Sequence, residues 1–138
     1  MSPTLANAPA IIIDWLRSKY AAQDENLVMG VVVTATVPPS RTGSSGPLVV
    51  VRRSGGVVDL IRDRARIDFL HWHSTEYKAT GLAAITRALV LYDLPGLVLS
   101  GHTVYQTSEV AGPALYPDPA GSSLPIVMFT VEVPIRIN

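Results

Sequence analysis

The stretch 62–96 contains a change in the spacing of its apolar residues that predicts a strand followed by a helix. Before Ser74 the apolar residues alternate with polar ones, as in a strand, and after Ser74 they recur at the spacing of a helix. The predicted strand buries Ala65, Ile67 and Phe69, and the predicted helix, 74–92, buries Leu82, Ile85, Leu89 and Tyr92. The helix should end before Pro95, because proline disfavours helical geometry in the residue that precedes it. A strand feeding a helix that packs back on its sheet is therefore the expected core.

The rest of the pattern predicts one more helix and four more strands. A helix is expected over 9–23, with Trp15 as a core anchor and Asn7 close to its cap. The last strand alternates cleanly, and Pro134 predicts that its tail is an edge, because proline has no N–H for a ladder. The four further strands are expected over 27–37, 48–51, 97–110 and 124–137, with a basic turn at 52–56, an undecided segment at 57–61 and loops at 38–47 and 111–123.

Together these elements predict an α+β fold for a single domain, 1–138, whose residues 1–8 form a short flexible arm. The expected order is α-β-β-β-α-β-β. It gives a largely antiparallel mixed sheet of four to five strands with two helices packed on it.

The composition favours a protein that works in contact with other proteins. The chain has 138 residues, a formal net charge of zero and only 16% charged residues, against roughly 25% in a typical soluble domain. A weakly charged surface tends to associate. There is no cysteine, no apolar run of membrane-spanning length and no signal peptide, which predicts a soluble protein made in the cytoplasm.

Charge is unevenly distributed along the chain. Residues 47–66 carry five arginines against two aspartates, and residues 93–138 carry one arginine against four acidic residues. If the two segments lie on opposite flanks, the basic flank of one copy could meet the acidic flank of the next, in a head-to-tail contact that closes into a ring. The alternative is that they are neighbours in one sheet and neutralise each other within a monomer.

No pattern in the sequence points to catalysis. His71 and His73 are spaced as two metal ligands on one face of a strand, and Glu76 is the nearest third ligand, but a metal site usually needs three or four. The preferred interpretation is a polar strand end. Asp59, Asp63 and Asp68 alternate with arginines, which predicts mutual pairing. No serine lies in a nucleophile-elbow pattern.

The ordered set of elements resembles the tail terminator proteins of long-tailed (siphovirus-type) bacteriophages, especially those of actinobacterial phages. The resemblance covers nearly the whole chain as order and spacing. The matching features are the amphipathic helix around 11–16, the turn at 53–56, the strand–helix unit at 66–91, the exit at 94–96, the loop at 112–119 and the last strand, 126–136.

The resemblance implies a structural virion protein of the phage tail or neck, assembled in the host cytoplasm, with no enzymatic activity and no cofactor. It would form a ring, expected to be hexameric, that caps the tail tube, ends tube polymerisation and joins the tail to the head connector. Its partners would be copies of itself, the tail tube protein and the head-closure protein, with no membrane and no specific nucleic-acid binding, although DNA passes through such a ring.

Loops 38–47 and 111–123 are expected to make contacts along the ring axis. The residues assigned to subunit or partner contacts are Arg41, Arg52, Arg53, Arg62, Arg64, Glu109 and Asp118. Two alternatives remain: a head-closure or adaptor protein of the same neck, and a small metal-binding enzyme that uses His71, His73 and Glu76.

Overall fold

The computed structural model describes residues 4–37, 46–117 and 124–138, which form a five-stranded mixed sheet with two helices on one face. The predicted α+β class is confirmed. The sheet order is β1-β2-β3-β7-β6, in which only the β1–β2 pair is parallel. The elements are α1 (Ala8–Ala21), β1 (Val32–Thr34), β2 (Leu48–Val58), β3 (Arg62–Trp72), α2 (Glu76–Ala88), β4 (Val98–Leu99), β5 (His102–Thr103), β6 (Ser108–Tyr116) and β7 (Ile126–Arg136). A 3-10 turn (Asn26–Val28) precedes β1, and a π-helical segment (Leu89–Asp93) continues α2.

The first helix is close to its predicted position. The side chain of Asn7 caps it by accepting a hydrogen bond from the backbone N–H of Ala10 at 3.3 Å. Trp15 is buried, as predicted, in a stripe that faces the sheet. The described part of the predicted arm, 4–8, is attached rather than free, because Thr4 pairs through its backbone with Asn138 and Ala8 lies in the core.

The predicted basic turn at 52–56 is wrong, because β2 continues through it and forms a long hairpin with β3. The register shifts between Arg53 and Gly55, so a bulge absorbs the extra residue. Gly56 makes this possible: its φ is +104°, and a Cβ there would lie 2.1 Å from the carbonyl oxygen of Arg64. Val57 and Val58, in the segment that the sequence left undecided, complete β2.

The central strand, β3, has the predicted arrangement of its inner face. Ala65, Ile67 and Phe69 are fully buried under the helices, and Phe69 stacks on Phe129 of β7 with ring centroids 5.1 Å apart. A smaller apolar cluster occupies one end of the opposite face, which is called the open face below. Its members are Leu48, Val50, Leu70, Trp72 and Ile126.

The second helix begins at Glu76, two residues after its first predicted residue, and its π-helical continuation ends at Asp93, one residue after the predicted end. Thr75 caps it by accepting from the backbone N–H of Lys78 at 3.2 Å. The helix widens at its end, where the N–H of Leu94 donates to the carbonyl of Leu89, and the chain leaves it through Pro95. Tyr92 was predicted to be buried but is 81% exposed, because the π turn changes the rotation that regular helical spacing assumes.

Three segments outside the two helices and the central strands have a different secondary structure from the one predicted. Residues 27–37 form a 3-10 turn and the short strand β1. Residues 97–110, predicted as one strand, form the β4–β5 ribbon, with Gly101 in its turn, and the start of β6. Residues 111–116, predicted as a loop, belong to β6, which keeps its pairing with β7 despite Pro113 by means of register shifts.

The predicted edge position of Pro134 is also wrong, because β7 lies between β3 and β6. The carbonyl of Pro134 accepts a hydrogen bond from the backbone N–H of Tyr105 at 2.9 Å. In an antiparallel ladder the N and O of one residue point to the same side, so the absent donor of Pro134 also points to the β6 side. Since β6 starts opposite Glu132, no strand there requires that donor.

Candidate interaction surface

The turn of the β2–β3 hairpin presents apolar side chains to solvent. We call the segment 57–61 the hairpin tip; its apolar members are Val57, Val58, Leu60 and Ile61. All four are more than half exposed, and Leu60 is 99% exposed. Isolated exposed apolar residues are common, but four within five positions form a patch of the kind that marks an interaction site.

Asp59 holds the hairpin tip in one conformation. Its Oδ1 accepts hydrogen bonds from the backbone N–H groups of Ile61 at 3.0 Å and Arg62 at 2.8 Å, and its Oδ2 lies 3.0 Å from the Arg62 guanidinium. These bonds, led by the one from the Ile61 backbone, lower the pKa of the Asp59 carboxyl. The backbone N–H of Asp59 donates to the Arg62 carbonyl at 2.8 Å, and the Ile61 carbonyl accepts from Ile137 at 2.9 Å. The apolar side chains are thus presented on a preorganised turn.

Two predicted contact residues, Arg52 and Arg64, lie on the open face in ion pairs with their own chain. Arg52 lies 3.3 Å from Asp68, which also accepts from the Thr130 hydroxyl at 2.7 Å. Arg64 lies 3.1 Å from Glu132 on β7. Both arginines are partly exposed, so they remain available for additional contacts.

A third predicted contact residue, Arg53, lies on the helix side of the hairpin and is paired most closely. Its two terminal nitrogens lie 2.6 and 2.7 Å from the two carboxylate oxygens of Asp63, a bidentate pair. The hydrogen bond to Asp63 raises the pKa of Arg53. Asp63 is buried, so this pair stabilises the hairpin from within. The predicted pairing of the aspartates with arginines is therefore found for Asp59, Asp63 and Asp68.

The predicted acidic counterpart Glu109 also binds within the chain. Its carboxylate accepts two hydrogen bonds from Arg87 of α2, at 2.5 and 2.8 Å. The bond to Arg87 lowers the pKa of Glu109. Arg41 and Asp118, together with residues 38–45 and 118–123 of the predicted contact loops 38–47 and 111–123, lie outside the described residues.

The basic and acidic segments are neighbours in the sheet rather than opposite flanks. β3 pairs with β7 along eleven residues, and Arg64 meets Glu132 across that pair. The arrangement matches the alternative in which the two segments neutralise each other. Arg66 and Arg136, which were not among the predicted contact residues, are exposed and form no ion pair with any residue in the described ranges.

The histidines are buried and hydrogen-bonded to the backbone. His71 contacts the carbonyl oxygen of Val127 at 3.0 Å, and His102 contacts that of Arg136 at 2.9 Å. His73 accepts from the backbone N–H of Ser74 at 2.8 Å, whereas Glu76 is exposed at the start of α2. Within 4–37, 46–117 and 124–138, no three side chains of metal-ligating type come close enough to hold an ion. His71, His73 and Glu76 therefore do not form the three-ligand group that the metal-enzyme alternative needs.

A groove on the helix layer was missed by the sequence interpretation. It measures about 270 Å³ and is lined by Gln23, Ile85, Ala88, Leu89, Tyr92 and Asp93; we call it the helix groove. It lies where the end of α1 meets the end of α2. The deviation of the π-helical segment from regular spacing leaves Tyr92 on its rim, which residue spacing alone could not reveal. The hairpin tip lies in the segment 57–61, which the sequence left undecided.

The two edges of the sheet differ. Strand β6 exposes all nine of its residues, among them Val110, Leu115 and Tyr116. At the other edge, the guanidinium of Arg17 donates to the carbonyl of Val33 in the short strand β1 at 2.8 Å. Because Val32 bonds towards β2, the polar groups of Val33 face outwards, so Arg17 blocks that edge. β6 is therefore the more accessible edge.

No protein-family model matches the chain, and no significant match is found among curated proteins. Among the helices of the described residues, none is both long enough and apolar enough to cross a lipid bilayer.

Proposed function

We propose that this protein is a structural component of a bacteriophage virion, where its copies form a ring that caps the tail tube. The ring ends tube polymerisation and joins the tail to the head connector. The observation that supports this proposal is the amount of association surface that a single chain leaves uncovered. The long edge strand β6 and the preorganised hairpin tip both expose apolar side chains next to polar groups.

Both surfaces are suited to assembly. The unpaired side of an edge strand pairs readily with another chain, and apolar residues on a fixed turn lose little conformational entropy on binding. Pro113 and the register shifts in β6 restrict strand addition to part of its length.

The proposed mechanism is templated capping. One face of the ring binds the last ring of the tail tube, and the other face does not recruit a further tube subunit but binds the head connector. The domain supplies a rigid sheet stabilised by its internal ion pairs, and its uncovered edge, hairpin tip and groove make the contacts.

The test is a phage that carries a stop codon in the gene for this protein. Tails of uncontrolled length, or unjoined heads and tails, are expected in electron micrographs of lysates. Normal tails joined to full heads would refute the proposal. Supplying the intact gene from a plasmid is the control, and it should restore tails of uniform length.

A further inference from the structure

The hairpin tip and the helix groove have matching chemistry. The tip presents Leu60 and Ile61 beside the Arg62 guanidinium, which is paired with Asp59, and exposed Arg66 lies further along the same strand. The groove presents aliphatic and aromatic side chains, Ile85, Leu89 and Tyr92, with Asp93 in its lining. An apolar projection whose strand carries a cation unpaired among the described residues, Arg66, thus has a counterpart in an apolar recess with the anion Asp93 in its lining.

Exposed acidic residues extend the negative side of the helix groove. Asp24 and Glu25 follow Gln23, which lines the groove, and both are exposed. Neither forms an ion pair with another residue in the part of the chain that the structure describes. Asp93 is held at 3.7 Å from Lys19 in a partly exposed pair.

The formal charges of the described residues divide in the same way. Strands β2, β3 and β7 with the hairpin turn carry six arginines against four acidic residues, which leaves two positive charges. The remaining described residues carry four basic against six acidic residues, which leaves two negative charges. The positive excess lies in the β2–β3 hairpin and β7, and the negative excess lies mostly in and next to the two helices. The sequence segments first suspected, 47–66 and 93–138, neutralise each other. One copy can therefore attract the next without attracting its identical face.

We propose that the hairpin tip of one copy docks into the helix groove of a second copy, with Leu60 inserted beside Ala88 and Tyr92. The occupant of the groove is another copy of this chain, because the same molecule carries both halves of the apolar match and both signs of charge. The two patches differ, so the contact is heterologous: the subunit that inserts its tip keeps a free groove, and the subunit that receives it keeps a free tip, for further neighbours. This inference rests on the proposed function, since it locates the contact between neighbouring ring subunits.

Cysteine cross-linking tests the contact directly, because the natural chain contains no cysteine. The test chain carries both Leu60→Cys and Ala88→Cys, at two exposed positions. It is oxidised in two preparations: concentrated purified protein, and phage particles assembled with the variant. A ladder of covalent dimers, trimers and larger species on a non-reducing gel is expected, because a bridge within one chain could not produce a ladder.

Three controls determine how the result is interpreted. Leu60→Cys alone and Ala88→Cys alone should give no ladder, and Leu60→Cys with Thr80→Cys, an exposed position two turns earlier on α2, should give none. A dimer from Leu60→Cys alone would show a tip-to-tip contact and overturn the proposal. Absence of a ladder in both preparations, or an equal ladder from the Thr80→Cys pair, would also overturn it.

The stop-codon phage separates this inference from the proposed function. Uncontrolled tails together with no ladder would leave the capping function in place and refute the contact. A ladder together with normal tails would support the contact and refute the capping function.

Discussion

The Nδ1 atom of His71 lies 3.0 Å from the carbonyl oxygen of Val127, inside the pairing of β3 with β7. A carbonyl oxygen only accepts hydrogen bonds, so Nδ1 carries the proton of the neutral ring. The ring is fully buried and stacks on Phe129 with centroids 5.4 Å apart. Its Nε2 atom has no hydrogen-bond partner among the described residues. A second proton would therefore place a charge in the core.

The buried ring predicts a loss of stability in mild acid. Burial lowers the pKa of His71 from 6.5 to about 4. Below pH 6.5 the unfolded chain takes up the proton and the folded chain does not, so protons favour unfolding as the pH falls towards 4. The free energy of unfolding should decrease by up to about 3 kcal/mol over this interval because of this group.

Urea unfolding of the natural chain and of His71→Leu, measured from pH 8 to about pH 4, checks this prediction. The variant should lack the component of the pH dependence that comes from His71, although other titrating groups still contribute. Parallel pH profiles for the two proteins would contradict the assignment of that component to His71.

Removing Arg53 and removing Asp63 from their ion pair should lower the free energy of unfolding by different amounts. Arg53→Leu leaves a buried carboxylate without its cation, and we expect the free energy of unfolding to fall by about 3 kcal/mol. Asp63→Asn leaves a one-third exposed guanidinium that water can solvate, so the expected cost is about 1 kcal/mol. Chemical denaturation of both single variants and the double variant measures the coupling. Equal losses in the free energy of unfolding for the two single variants would contradict the prediction, which depends on the burial of Asp63.

Among small substitutions in the hairpin, Gly56→Ala should cause the largest loss of stability. The Cβ of Gly56→Ala would lie 2.1 Å from the Arg64 carbonyl oxygen at a φ of +104°, so the strands must separate locally. We expect a loss of roughly 3 kcal/mol or more in thermal or urea unfolding. Gly112→Ala is the matched control, because a Cβ there meets no atom within 4 Å. Similar losses for both variants would contradict the close approach at Gly56.

A charged substitution at Leu60 should weaken self-association and leave folding intact. Because the side chain is 99% exposed, Leu60→Glu should alter the free energy of unfolding by less than about 0.5 kcal/mol. Loss of the buried leucine from the proposed contact should weaken self-association by roughly tenfold or more. Sedimentation velocity across a concentration series measures this effect. Val98→Glu, at an exposed apolar residue of the β4–β5 ribbon, is the control, and equal weakening by both would contradict a specific role for the hairpin tip.

The strongest sequence signals determined the core of the fold. Alternation placed Ala65, Ile67 and Phe69 on the buried face of β3, and helical spacing with Pro95 located α2 and its end. These predictions hold because the period of the side chains and the geometry of proline act through neighbouring residues alone. The interleaving of aspartates and arginines likewise predicted pairing, although not the partners.

Strand order, strand length and surface exposure were decided by the tertiary structure. The sequence predicted a turn at Arg52 and Arg53. In the structure β2 continues through them, because it pairs with β3 and Gly56 allows the two strands to approach closely. The sequence predicted Pro134 to be an edge residue, yet it lies in an inner strand. Proline is tolerated there because its missing N–H would point to the β6 side, beyond the residue opposite which β6 begins. Arg64 and Glu132 are 68 positions apart, and only the β3–β7 register brings them together. Such contacts depend on which distant segments become neighbours, and local spacing carries no information about that choice.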